Sequence, residues 1–210
     1  MLINKKSLLG HKIIDSKLKQ CRYQYIQITT SGETIATDGA MAILVTPQKN
    51  VDESDWPVCE GVSEADAGAP EREIYITKRQ AQQLSSNIPT RAQHAAFETA
   101  RLVQTPDATL ATTTDMDITQ TLTIKNTDVS YPANIDEVIP KGKPLASVLV
   151  DPKRLKQICE IVSEMTKDND SNIMKIELYD ENKPIKITAD STGTDQKMTA
   201  LLMPVLGGGK

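Results

Sequence analysis

The chain has 210 residues and a formal net charge of −4, with 25% charged and 39% hydrophobic residues. That balance describes a soluble globular chain of one large or two small domains, and excludes a disordered tail, a collagen-like chain and a membrane span. Aromatic residues make up only 3%, so the core must be aliphatic, and the stacking platforms of single-strand-binding proteins are lacking.

At the start, Met1-Leu2-Ile3-Asn4-Lys5-Lys6 lacks the apolar run of a signal peptide. The three cysteines, Cys21, Cys59 and Cys159, show no CxxC spacing, which argues against a disulfide framework or a zinc site and for a cytoplasmic protein. Leu2-Ile3 reads as a short strand leading into a basic helical stretch, Asn4–Arg22, interrupted by Gly10. Tyr23–Thr29, Thr34–Asp38 and Met41–Thr46 read as strands, and Thr37-Asp38-Gly39 as a tight turn. Gln48–Pro70 is a solvated acidic loop.

The pattern then repeats. Glu73–Ile76 predicts a strand, Thr77 caps a helix over Lys78–Ser86, and Ala100–Gln104, Thr109–Thr113 and Thr119–Ile124 alternate like half-buried strands. Thr127–Pro144, with its prolines, reads as an extended connector. Beyond it, Ser147–Val150 predicts a strand; Asp151 and Pro152 open a helix whose Leu155, Ile158, Cys159 and Val162 share one face. Ile173–Leu178, Ile185–Ala189 and Met198–Met203 complete a third set of strands. Three βαβββ units in an α+β fold are therefore expected: two in a domain over residues 1–130, a connector over 131–144, one unit over 145–206, and a glycine tail over 207–210.

Catalytic constellations are missing. His11 and His94 stand apart from any nucleophile and are read as solvent-facing. Asp115 and Asp117 share a strand face without a third ligand, so a hairpin end is preferred to a metal site. No Walker A, GxGxxG or HExxH pattern occurs. The chain is expected not to be an enzyme and to need no cofactor or metal.

Charge carries the positive signal. The stretches Asn4–Arg22, Thr77–Arg91 and Pro152–Glu164 hold twelve basic and three acidic residues, while the rest of the chain holds 12 basic and 25 acidic. A local basic face matters more to phosphates than the total charge. The bland alternative is solubilising charge on exposed helix faces, and Glu160 and Glu164 sharing a face with Lys153 and Lys156 favours it.

Three further segments carry a resemblance. Ile35-Ala36-Thr37-Asp38-Gly39-Ala40-Met41-Ala42 resembles the strand–turn–strand of the middle domain of the bacterial β sliding clamp, with Ala40-Met41 where that family has His-Arg. The run from Tyr131-Pro132 to Val138-Ile139-Pro140-Lys141 resembles its connector, and Thr199–Val205 its C-terminal strand with a Met-Pro ending. Units one and two correspond to the middle domain and unit three to the second half of the last.

The resemblance implies a DNA-clamp fold with antiparallel sheets outside and helices on one face. It implies a polymerase processivity factor that holds duplex DNA without reading its sequence, through Lys5, Lys6, Lys12, Lys17, Lys19, Arg22, Lys78, Arg79, Lys153, Arg154 and Lys156. It implies a pocket for clamp-binding peptides of DNA polymerase or repair proteins, lined by Thr37, Gly39, Ala40, Met41, Ala42, Pro132, Val138, Leu201, Met203, Pro204 and Val205. A ring of twelve units at three per chain further implies a homo-oligomer in which unit three completes a two-unit domain with a neighbour's unit. The alternative is a clamp-like protein-binding module, phage or mobile-element encoded, that does not encircle DNA.

Overall fold

The computed structural model describes residues 1–14, 21–58, 70–127, 129, 138–144, 146–167, 169–179, 182–192 and 196–205, without the side chains of Cys21 and Arg22. The chain divides into two compact units, Met1–Val138 and Ile139–Lys210.

The first unit holds eight strands: β1 (Leu2–Asn4), β2 (Tyr25–Ile28), β3 (Thr34–Thr37), β4 (Ala42–Val45), β5 (Ile74–Thr77), β6 (Thr99–Gln104), β7 (Ala108–Thr114) and β8 (Thr119–Lys125). They form two four-stranded antiparallel sheets, ordered β4-β3-β2-β5 and β1-β6-β7-β8. Each hairpin trio takes its fourth strand from the other half of the unit. β1 lies along β6, with Ile3 opposite Ala100, and β5 lies along β2, with Ile76 opposite Ile26. The βαβββ order read from the sequence is present from β5 to β8, 3-10 helices stand between β1 and β2 among the described residues, and the leading strands cross over.

Helix α1 (Lys78–Asn87) opens on a capping box: Thr77 Oγ1 accepts from Gln80 N, and the Gln80 side chain accepts from Thr77 N. It stops at Ile88, ahead of Pro89, where the next residue cannot continue the hydrogen-bond ladder. Its Ala81, Leu84 and Ile88 meet Ile3, Leu8, Ile26, Ile76, Ala100 and Leu102 in one aliphatic core. The scarcity of aromatics is compensated by β-branched residues, which fill pleated faces with little rotamer loss.

The expected first helix is corrected. Residues 5–8 form turns, Leu9–Lys12 is a single 3-10 helix and Cys21–Gln24 another. Two causes are visible, one local and one tertiary. Asn4 Oδ1 accepts from Lys6 N and Ser7 N, which locks a turn. Gly10 presses its backbone on β3 so closely that a Cβ there would stand 2.5 Å from Ala36 Cβ.

In the second unit, helix α2 (Pro152–Met165) is capped by Asp151, whose Oδ1 accepts from Lys153 N at 2.8 Å. It packs on a three-stranded sheet ordered β11-β10-β9, where β9 is Lys175–Glu177, β10 is Ile185–Ser191 and β11 is Gln196–Leu202. Ser147–Val150, expected as a strand, joins no sheet among the described residues. It places Val148 and Val150 on the core, and Leu149 O accepts a hydrogen bond from Val205 N at 2.8 Å. A leading strand with no sheet to enter cannot form a ladder, which is the physical reason for that difference. Asp115–Asp117 lies at the turn of the β7–β8 hairpin as read from the sequence, with Asp115 Oδ1 accepting from Asp117 N and Ile118 N.

Candidate functional site

The basic residues differ in how much of their charge stays available. Lys5 follows β1 and donates a short hydrogen bond to Thr90 Oγ1. Lys78, at the first position of α1, is half-buried, and its Nζ donates to Ile14 O at 3.1 Å. These two ammonium groups tie the turn after β1 and the segment after the first 3-10 helix to the region around α1. Lys6, Lys12 and Arg79 are exposed. Lys17, Lys19 and the Arg22 side chain lie outside what the structure describes.

On α2, Lys153, Arg154 and Lys156 are all exposed. Arg154 Nε stands 3.7 Å from the Asp151 carboxylate, and Lys156 Nζ 3.5 Å from that of Glu160. Exposed pairs at this spacing stabilise by only about 0.2–1 kcal/mol, so a phosphate can displace the carboxylate at small cost. Lys153 makes no ion pair among the described residues. The sequence missed Thr90 and the Ile14 carbonyl as acceptors, because contacts across many residues leave no local signal. The i, i+4 spacing of Lys156 and Glu160 was legible.

The residues expected from the resemblance to line a peptide pocket fall in both units. In the first unit the β3–β4 turn is closed by its own side chains. Asp38 Oδ1 accepts from Ala40 N and Met41 N, both at 2.8 Å; Thr37 Oγ1 donates to Met41 O at 2.8 Å and accepts from Gly39 N at 3.1 Å. The Met41 N–H, followed by that of Ala40, holds the Asp38 carboxyl below the usual aspartate range. Gly39 adopts φ +92°, and a Cβ there would meet the Tyr23 ring at 3.3 Å. The turn therefore specifies Asp and Gly, and it displays Ala40, Met41 and Ala42 to solvent, Met41 being 54% exposed. Asp38 is the residue the sequence reading left out of this site, although the Asp-Gly pair signals it.

Val138 is exposed at the end of the first unit, and Pro132 lies outside the described residues. In the second unit Leu201 points away from the core that its neighbour Leu202 enters, and Met203 and Val205 are exposed beside half-buried Pro204. A cluster of solvent-facing apolar side chains at one strand end is the surface an apolar peptide anchor needs.

Among the described residues no group of three His, Cys, Asp or Glu is placed to hold a metal, and no helix is long and apolar enough to cross a membrane.

No protein-family model and no curated protein matches the chain. Among solved structures it is similar to the sliding clamp, DNA polymerase III subunit beta, of Pseudomonas aeruginosa bound to griselimycin, at 15% identity and a TM-score of 0.65. That match covers 100% of this chain and 51% of the clamp. A putative DNA polymerase III beta subunit from Eubacterium rectale matches at 10% identity and a TM-score of 0.59, over 97% of this chain and 50% of that one. The Caulobacter crescentus pol III beta matches at 16% and 0.55, over 100% and 52%. The chain thus spans about half the length of these clamps, and its α+β fold of antiparallel sheets packed on helices is the clamp fold.

Proposed function

We propose, from a sliding-clamp fold that spans the chain, that this protein is a clamp-like polymerase processivity factor. It holds duplex DNA without sequence preference, recruits polymerase or repair proteins through a peptide pocket, and performs no catalysis. The observation that carries the reading is the fold itself, with exposed Lys6, Lys12, Arg79 and Lys153 as the cations that neutralise phosphates. Arg154 and Lys156 join them by exchanging a carboxylate for a phosphate. Contacts of this kind are salt-sensitive and carry no base information, which is what sliding requires. A reducing cytoplasm, where replication proteins of this kind work, is part of the same proposal.

The test is fluorescence anisotropy with unrelated duplexes across a salt series. Equal affinities for all sequences and a steep fall with salt are expected. Lys6→Glu, Lys12→Glu and Lys153→Glu together should abolish binding while leaving peptide binding intact. For the pocket, Met203→Ala should weaken a clamp-binding peptide by about 1–2 kcal/mol, roughly a tenfold loss. An unchanged affinity would move the pocket elsewhere.

One observation favours the second reading, a protein-binding module that does not encircle DNA. Lys5, Lys78, Arg154 and Lys156 all have protein partners, which leaves a thinner cationic lining than the sequence count promises. Peptide binding with no salt-sensitive duplex binding would select it.

A further inference from the structure

Counted from the helix N-caps Thr77 and Asp151, the second half of the first unit and the second unit match position by position. Val148, Leu149 and Val150 fall on Ile74, Tyr75 and Ile76 of β5; Leu155, Ile158 and Val162 fall on Ala81, Leu84 and Ile88; Met174 and Ile176 fall on Ala100 and Leu102 of β6. The residue types agree, yet the burial does not. Leu102 is 2% exposed and Ile176 is 50%; Leu84 is buried while Ile158 is half-buried.

The first unit explains the gap. There β6 is covered on its outer edge by β1 of the other half, Leu102 N donating to Met1 O at 2.8 Å, and β2 is covered in the same way by β5. Among the described residues of the second unit β9 bonds only to β10, which leaves its other edge open, and residues 146–150 join no sheet. Among the described residues of a single copy, donor and acceptor of the exchange are thus both present and both unfilled.

The leading segment is also held ready. In the first unit Asn4, ending β1, donates to the side chain of Gln48, three residues past β4; in the second, Leu149 O accepts from Val205 N, three residues past β11. β9 carries little that would repel a strand. Its Ile176 is 50% exposed, Ile173 just before it is 67% exposed, and its lysine, Lys175, is engaged by Glu177 at 2.9 Å.

We infer that the second unit associates with the second unit of another copy of this chain. Residues 147–150 of each lie antiparallel along residues 173–176 of the other. The two halves of the first unit already exchange strands reciprocally, so two identical halves can do so about a two-fold axis, which closes both edges at once. Ile176 and Ile158 then gain the cover that Leu102 and Leu84 have. The inference rests on the strand exchange and is independent of any DNA or peptide binding.

Sedimentation velocity of the full 210-residue chain at micromolar concentration should give twice the 23.0 kDa chain mass. Ile173→Lys with Ile176→Lys places two charges on the open edge at exposed positions and should return the chain to a monomer with an unchanged far-UV spectrum. A wild-type monomer, a monomer that instead takes up a strand peptide of another protein, or a dimer that survives both lysines would each overturn the inference. Hydrogen exchange on the wild-type chain covers the case in which that variant fails to fold. Amides of 147–150 and 173–176 should gain protection together as concentration rises. Protection rising elsewhere but not in these two segments would equally overturn it.

Discussion

The stretch from β5 to β8 and the stretch from residue 147 to β11 both run from a leading segment through a helix to three strands with the same helix-face spacing, but only the first buries its core positions fully. Leu84 and Ile88 sit beneath two sheets, whereas Leu155 and Ile158 sit against three strands and an unladdered segment. Local code therefore sets which residues face inward, and the sister half sets how far inward they go. Each half needs a strand from outside itself before its sheet edge and its helix flank are closed.

The largest test of this difference is a matched pair of truncations. Leu84→Ala should destabilise the first unit by about 2–5 kcal/mol, the range for emptying a packed core site. Ile158→Ala, at the corresponding position of a half-covered helix, should remove about 1–2 kcal/mol from the second unit when measured in the monomeric Ile173→Lys/Ile176→Lys background, since less apolar area leaves water there. Calorimetry with two resolved transitions reads both. Equal losses would mean that the second unit's helix is as well covered as the first's.

A smaller effect isolates one component of the first unit's seal. The 3-10 segment Leu9–Lys12 packs its backbone on β3 at Gly10, and Leu8 and Ile14 on either side of it are fully buried. Gly10→Ala forces a methyl against Ala36 and should cost about 1–3 kcal/mol, as overpacking does. The loss should appear in the first unit's transition and leave the second unit's unchanged. Adding Ala36→Gly should recover part of it.

How much of this was legible follows from the range of each signal. Asp151-Pro152 with Leu155, Ile158, Cys159 and Val162 identified α2, and Thr77 identified the start of α1, because caps and helix periodicity act over one or two turns. Asp38-Gly39 identified its hairpin for the same reason. The basic stretch after Asn4 misled, since its lysines fit a helix while Gly10 and the Asn4 side chain, through contacts with β3 and the backbone, impose turns. Strand exchange was invisible, because alternation in β1 and β5 says which side is apolar and nothing about which sheet receives it. At the site, Met41 and Leu201 were named only through the resemblance, and their exposure is what the structure adds. The capture of Lys78 by the Ile14 carbonyl left no signal, being a contact between distant segments.

The smallest expected effect concerns how each unit holds the strand that follows its helical segment. β2 and β6 are held by buried side chains on the core and a neighbour on each edge, whereas β9 relies in part on polar groups. Glu177 takes Lys175 at 2.9 Å and, across the ladder, Lys186 at 3.0 Å. Hydrogen bonds from Lys175 and then Lys186 hold the Glu177 carboxyl below the usual glutamate range, and Glu177 in turn raises Lys186. A carboxyl lowered by folding contributes stability that is present above its unfolded range and is lost as pH falls through the folded value. A raised lysine contributes stability present below its unfolded range and lost as pH rises through the folded value. The pair should therefore support the second unit across neutral pH and fade at both extremes. Glu177→Gln should lower the second unit's melting temperature slightly at pH 7, and the gap to wild type should close in acid as the native carboxyl protonates. The first unit's transition should not respond to this substitution at any pH. A gap that persisted unchanged in acid would assign the effect of Glu177 to packing along the β9–β10 pair instead of its charge.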